Sequence, residues 1–111
     1  MKILDYETDF DFNDVENSQK LENSIEQTQI RLNNIKTDGK KTSEILREIC
    51  KTIFDFYDFV FGEGASEKIF KGKQNLNLCL EAFKDTLKIK EEQEQKLAKD
   101  LKNFENELKL G

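Results

Sequence analysis

Polar and apolar positions alternate without a fault from Leu4 to Phe12. Leu4, Tyr6, Thr8, Phe10 and Phe12 fall on one side, and Asp5, Glu7, Asp9 and Asp11 on the other. A period of two predicts an extended segment, because successive side chains of a strand point to opposite faces. A lone strand leaves backbone N–H and C=O groups without partners. Three outcomes are open: a small ribbon folded back around Glu7 and Thr8 and laid on the helices, an arm that pairs with another subunit, or a partly ordered acidic tail.

From Asn13 the period lengthens. Asn13 or Asp14 is suited to cap a helix, and Glu16 suits its positive end. Leu21, Ile25, Thr28, Leu32 and Ile35 then follow at spacings of 4, 3, 4 and 3, a narrow seam rather than a broad core face. Thr37-Asp38-Gly39-Lys40 is expected to end this helix, with Gly39 in a left-handed turn. Thr42 or Ser43 is expected to cap a second helix running to about Phe61. Ile45, Ile49, Ile53, Phe56 and Val60 line one face, and Leu46, Cys50, Phe54 and Tyr57 widen it. A face this wide predicts neighbours on more than one side.

Five of the nine phenylalanines lie between Phe54 and Phe70, so the core is expected to be founded there. Gly62 to Gly72 reads as a compact connector in which Gly62 and Gly64 make a corner. Ser66 is expected to cap one turn, Glu67 to Phe70, returning Ile69 and Phe70 to the core. A last helix is predicted from Gln74 or Asn75 to Leu108. Leu76, Leu80, Phe83, Leu87, Lys90, Glu94, Leu97, Leu101, Phe104 and Leu108 share one register. With Leu78, Cys79 and Ala82 added, its first half reads as globular. Lys88 to Lys96 reads as solvated, and the end is an apolar seam again. A helix of about 34 residues spans about 50 Å at 1.5 Å per residue, too long for a core of this size. Its C-terminal half should project and pair antiparallel with the first helix or with another chain.

Composition narrows this picture. The 111 residues suit one helical domain: an acidic strand-like arm over 1–13, a helical core over 14–87 and a projecting helix over 88–111. Only 36% of residues are hydrophobic against 37% charged, which predicts a small core and a motive to recruit partners. Proline is absent, so nothing forces a helix to break. No run of about 18 apolar residues predicts a membrane span, and the acidic start lacks an apolar signal-peptide centre. A cytoplasmic location without a membrane partner is expected. The net charge of −5 resides wholly in residues 1–17, and the remaining acids and bases cancel. With no basic surplus, nucleic acid is not an expected partner.

The inventory of reactive side chains points away from catalysis. There is no histidine, so neither cysteine has the usual activating base. Cys50 and Cys79 sit among apolar neighbours and are expected to be buried thiols. Asp55 and Asp58, three apart on one side of a helix, read as its wet edge. The aspartates after Asp9 fail as a calcium loop, since Asp14 and Lys20 fall where glycine and glutamate belong. The glycines of the connector lack phosphate-loop spacing and a preceding strand. No enzyme activity is expected, and no catalytic, cofactor-binding or metal-binding residue is assigned.

Phe59-Val60-Phe61-Gly62-Glu63-Gly64-Ala65-Ser66-Glu67-Lys68-Ile69-Phe70, followed by Asn75 to Phe83, resembles a family of short phage and prophage proteins of Gram-positive bacteria. In that family an acidic-aromatic segment like Asp9-Phe10-Asp11-Phe12 precedes the helices. The order of segments agrees over nearly the whole chain, and the glycine connector is its specific part. By size and plan the family looks like the tail-assembly chaperones of long-tailed phages. The resemblance implies a helical protein in the bacterial host cytoplasm that coats the tape-measure protein and helps recruit tail-tube subunits.

The expected fold is mainly α, a three-helix antiparallel bundle with a long C-terminal helix and a short N-terminal strand or ribbon. The expected function is a tail-assembly chaperone acting as a homo-oligomer on protein partners. Alternatives are a structural scaffold or connector of phage morphogenesis, or a small acidic regulator of a basic host partner. Leu97, Leu101, Phe104 and Leu108 are the candidate partner-binding seam, joined by Leu21, Ile25, Leu32, Phe10 and Phe12. Gly62, Gly64 and Ser66 are the candidate structural connector.

Overall fold

The structure, a computed structural model, describes residues 2–110. In chain order the elements are β1 (Lys2–Ile3), β2 (Tyr6–Glu7), α1 (Val15–Asn33), α2 (Thr42–Phe61), α3 (Ala65–Phe70) and α4 (Leu76–Leu110). The fold is mainly helical, with a short antiparallel ribbon at one end of the chain and a long helix at the other. Met1 and Gly111, the outer limits expected for the arm and the projecting helix, lie outside the described residues.

The alternation of the first segment is kept in space. Leu4, Tyr6, Thr8, Phe10 and Phe12 are half-buried, while Asp5, Glu7, Asp9 and Asp11 are exposed. The segment does fold back as a ribbon, Lys2 facing Glu7 and Ile3 facing Tyr6. Its turn falls at Leu4 and Asp5, not at Glu7 and Thr8. Leu4 takes φ +53° there, a left-handed conformation that costs an L residue about 1–2 kcal/mol. Tertiary contacts offset that cost. Ile3 is 1% exposed in the core, and the Leu4 N–H donates to Asp85 Oδ2 of α4 at 3.2 Å.

One expected cap is kept at the start of α1, while the end of α1 and the start of α2 depart from the expected pattern. Asp14 caps α1, its carboxylate accepting from the Asn17 N–H at 3.0 Å. Asn75, expected only as a boundary of the last helix, caps α4, its Oδ1 accepting from the Leu78 N–H. By contrast, α1 ends at Asn33, short of Thr37, and Gly39, at φ +73°, serves the turn before α2. Thr42 is the first residue of α2 rather than its cap. Lys41 holds the cap position with no side-chain bond.

Helix α2 is central and packs on α1, α3 and α4, as the width of its apolar face predicts. Cys50, Ile53 and Tyr57 are fully buried on it and meet Cys79, Ala82 and Phe83 of α4 in one cluster. Both cysteines are free, buried thiols. The Thr86 hydroxyl donates to the Ala82 carbonyl at 3.0 Å, leaving its oxygen to accept the Tyr57 O–H at 2.7 Å. The one phenol deep in the core is thereby satisfied.

The corner after α2 is made as expected, but by a different side chain. Gly62 takes φ 110°, ψ 155°, and Gly64 takes φ 88°, ψ −2°. Ser66 lies inside α3 and caps nothing; Gly64 holds the cap position. Asp58 of α2 supplies the missing cap from across the corner. Its two oxygens accept the Ser66 N–H at 2.8 Å and the Ser66 O–H at 2.9 Å. Asp58 is thus an anchor rather than a wet edge. Ile69 and Phe70 return to the core, 4% and 2% exposed.

Candidate partner-binding site

Helix α4 outruns everything it packs on. Its last contributor to the core is the half-buried Ile89. Beyond it, Leu97, Leu101, Phe104 and Leu108 are 51%, 56%, 57% and 66% exposed. Their spacing places all four on one helix face. Between core and seam the same register carries Lys90 and Glu94, which form an ion pair with each other. That interruption separates the seam from the core stripe. The 4–3 pattern belongs to one helix, but the structure divides its duties between folding and surface.

The head of the seam opens into a cleft. Phe12, Val15, Ser18, Gln19 and Glu22 line it on one side, Leu97 and Asp100 on the other, around about 610 Å³. Val15, 78% exposed, and Leu97 supply its uncovered apolar surface. Ser18 fixes this edge, its hydroxyl donating to the Phe12 carbonyl at 2.5 Å. Asn17 adds a bond to the Asp11 carbonyl at 3.1 Å. The start of α1 and the middle of α4 thus hold Phe12 and Leu97 at one site.

The other expected partner contacts are placed elsewhere. Leu21 and Ile25 are buried, 2% and 9% exposed. Their seam is covered by intramolecular packing, α2 being the helix on which α1 packs, so they offer no free surface. Phe10 packs on Phe12 at 4.9 Å and on Phe61 at 5.1 Å between ring centroids, as part of the core's outer shell. Leu32 is half-buried at the opposite end, where Ile35, Ile45, Ile49, Leu76 and Leu80 complete a cleft of about 360 Å³. Among the residues expected at the partner surface, Leu97, Leu101, Phe104 and Leu108 form the exposed group, with the half-buried Phe12 beside Leu97 in the cleft. Val15 was not legible, because it falls off the α1 register and only the approach of α4 gives it a role.

A further cleft of about 500 Å³ lies between α1 and α2, lined by Asn23, Gln27, Arg31, Asp55 and Phe59 among others. Its charges are already matched, since Asp55 accepts from both Arg31 and Lys51 at 3.2 Å. Lys20 Nζ sits 4.9 Å from the Phe59 ring centre, so the aromatic surface is shared with a cation. This is a junction between helices.

The groups with shifted acidities lie in the interior. Burial raises the Tyr57 phenol well above its ordinary range. Burial, with the Cys50 thiol beside it, pushes Cys79 up to about 12. Both shifts keep the groups protonated and make Cys79 a poor nucleophile. Among the described residues no group of three or more Cys, Asp or Glu is placed to hold a metal ion. None of the described helices is long and apolar enough to cross a membrane.

A sequence profile for DUF6673, a family of unknown function, matches residues 4–109. The chain belongs to that family. No curated protein and no solved structure matches it. The DUF6673 span takes in the ribbon from Leu4, the glycine corner, and the seam to Leu108.

Proposed function

We propose that the protein is a helix-binding assembly factor, of the kind represented by phage tail-assembly chaperones. The observation that supports this reading is the seam of Leu97, Leu101, Phe104 and Leu108, four large apolar side chains on a helix that has left its own core. Such a stripe is unfavourable in water and matches the apolar face of a second helix. Association by helix docking needs no reactive site. The resemblance supplies the class of client, a tape-measure protein, and with it a bacterial cytoplasmic setting. Homo-oligomerisation belongs to the same reading, because several copies along one client add avidity.

The test is co-expression with a tape-measure protein, followed by size-exclusion chromatography with light scattering. A joint peak is expected for the unaltered chain and its loss for Leu101→Lys/Phe104→Lys. A chain that stays monomeric and never co-elutes rules the proposal out. The acidic-regulator reading draws on one observation, the exposure of Asp5, Asp9 and Asp11 on the ribbon segment. Asn at all three positions should abolish such an activity, and client binding that survives the change favours the seam.

A further inference from the structure

The residues beside the seam restrict what can cover it. Treating Glu94, Leu101 and Leu108 as one core row and Lys90, Leu97 and Phe104 as the other, the flanking rows are Glu91, Ala98 and Glu105, and Gln93, Asp100 and Glu107. Every charge in those flanks is negative. Lys96, Lys99, Lys102 and Lys109 all fall on the outer rows, away from the contact. Glu91, Asp100, Glu105 and Glu107 are exposed, and among the described residues none is held in an ion pair.

In helix pairs the flanking rows set partner choice. A second copy laid parallel would bring one acidic flank against the other. Laid antiparallel, it would bring each flank against itself. Both arrangements oppose acid to acid, which disfavours pairing. The fold adds to this at the head of the seam. Residues 1–17 carry the chain's whole excess charge of −5, and Phe12, Asn13 and Val15 from that segment line the cleft beside Leu97. Glu22 and Asp100 stand in the same lining.

We propose that the seam selects an amphipathic helix whose apolar stripe is flanked by lysine or arginine, and rejects a second copy of itself. The inference rests on the reading of the seam as a helix-binding surface and names the chemistry of its partner. Self-association, where it occurs, then uses another surface.

Two synthetic helical peptides of about four heptads, identical in their apolar rows, test the selection: one carries lysine in its flanking rows and the other glutamate. Each is titrated into the full-length protein and followed by fluorescence anisotropy. The lysine peptide is expected to bind about tenfold or more tightly than the glutamate peptide, as several weak exposed ion pairs add up. The difference should collapse at about 1 M salt, where the screening length is about 3 Å. The quadruple variant Glu91→Lys/Asp100→Lys/Glu105→Lys/Glu107→Lys should reverse the preference, and a mixture of this variant with the unaltered chain should form heterodimers. Equal binding of the two peptides overturns the selection and leaves helix binding intact. Binding of neither, while the natural client still co-elutes, overturns the selection as well. Failure of the client itself to co-elute overturns the underlying reading instead.

Discussion

Tyr57 and Thr86 show how one hydroxyl can matter more than another. Thr86 donates to the Ala82 carbonyl and accepts from Tyr57, so the two residues form a one-way chain in the core. Tyr57→Phe removes the outer donor and leaves Thr86 still bonded. It should cost about 1 kcal/mol, the net worth of one hydrogen bond. Thr86→Val strands the phenol in a site that is 0% exposed, and should cost about 1–3 kcal/mol. Urea unfolding of both variants checks the order, and a larger loss for Tyr57→Phe would refute the assigned direction. The same interior gives a pH dependence. Cys79 is pushed up to about 12 from an ordinary 9.0, and Tyr57 is raised in the same sense. Unfolding lets these groups ionise earlier, so the unfolded chain binds fewer protons as the pH passes about 9. The Cys79 contribution is complete below that value and lost between about pH 9 and about 12, and the Tyr57 contribution is lost only from about pH 10 upward. The urea midpoint should therefore fall between about pH 8 and about pH 10.5, and the fall should be shallower in Cys79→Ala.

At the scale of elements, the corner between α2 and α3 separates two glycines that look alike in sequence. A Cβ on either would meet nothing within 4 Å, so backbone conformation alone decides the effect. Gly62, at φ 110°, ψ 155°, occupies a region essentially closed to other residues. Gly64, at φ 88°, ψ −2°, is left-handed and within reach of asparagine. Gly62→Ala should cost about 1–3 kcal/mol, and Gly64→Asn clearly less, by thermal unfolding. Asp58→Ala should cost about 1–2 kcal/mol through loss of the bonds to Ser66. The periodic elements were legible because their signal is local. The stripe of α2, the cap Asp14, and the alternation from Leu4 to Phe12 all lie within a few residues of what they specify. The turn at Leu4 was not legible, because its strain is offset by Asp85, 81 residues away. Asp58 was hidden for the same reason: its partner lies across a corner the pattern does not describe. In the candidate site, Leu101, Phe104 and Leu108 could be read from spacing. That Leu21 and Ile25 on α1 are covered, and that Val15 is not, depends on which helix reaches which.

The whole molecule measures 66 × 26 × 21 Å with a radius of gyration of 17.2 Å, where a compact chain of this length has about 13 Å. The excess lies in α4, whose 35 residues span about 52 Å at 1.5 Å each. Two regimes of stability should therefore share one continuous helix. From Leu76 to Ile89 the helix is held by the core. From Glu94 to Lys109 its residues are exposed. Propagation without tertiary packing gains little per residue in water, and most helical stability in proteins comes from packing an apolar face. Amide exchange at Cys79 to Leu87 should then report global unfolding. Exchange from Leu97 to Lys109 should proceed by fraying and be faster by orders of magnitude. A helical partner on the seam supplies the packing this segment lacks, so its amides should gain protection on binding while those of the core do not. Hydrogen exchange with and without the lysine-flanked peptide measures both. Uniform protection along α4 in the free protein would show that the seam is already covered, and would remove the main support for a docking surface there.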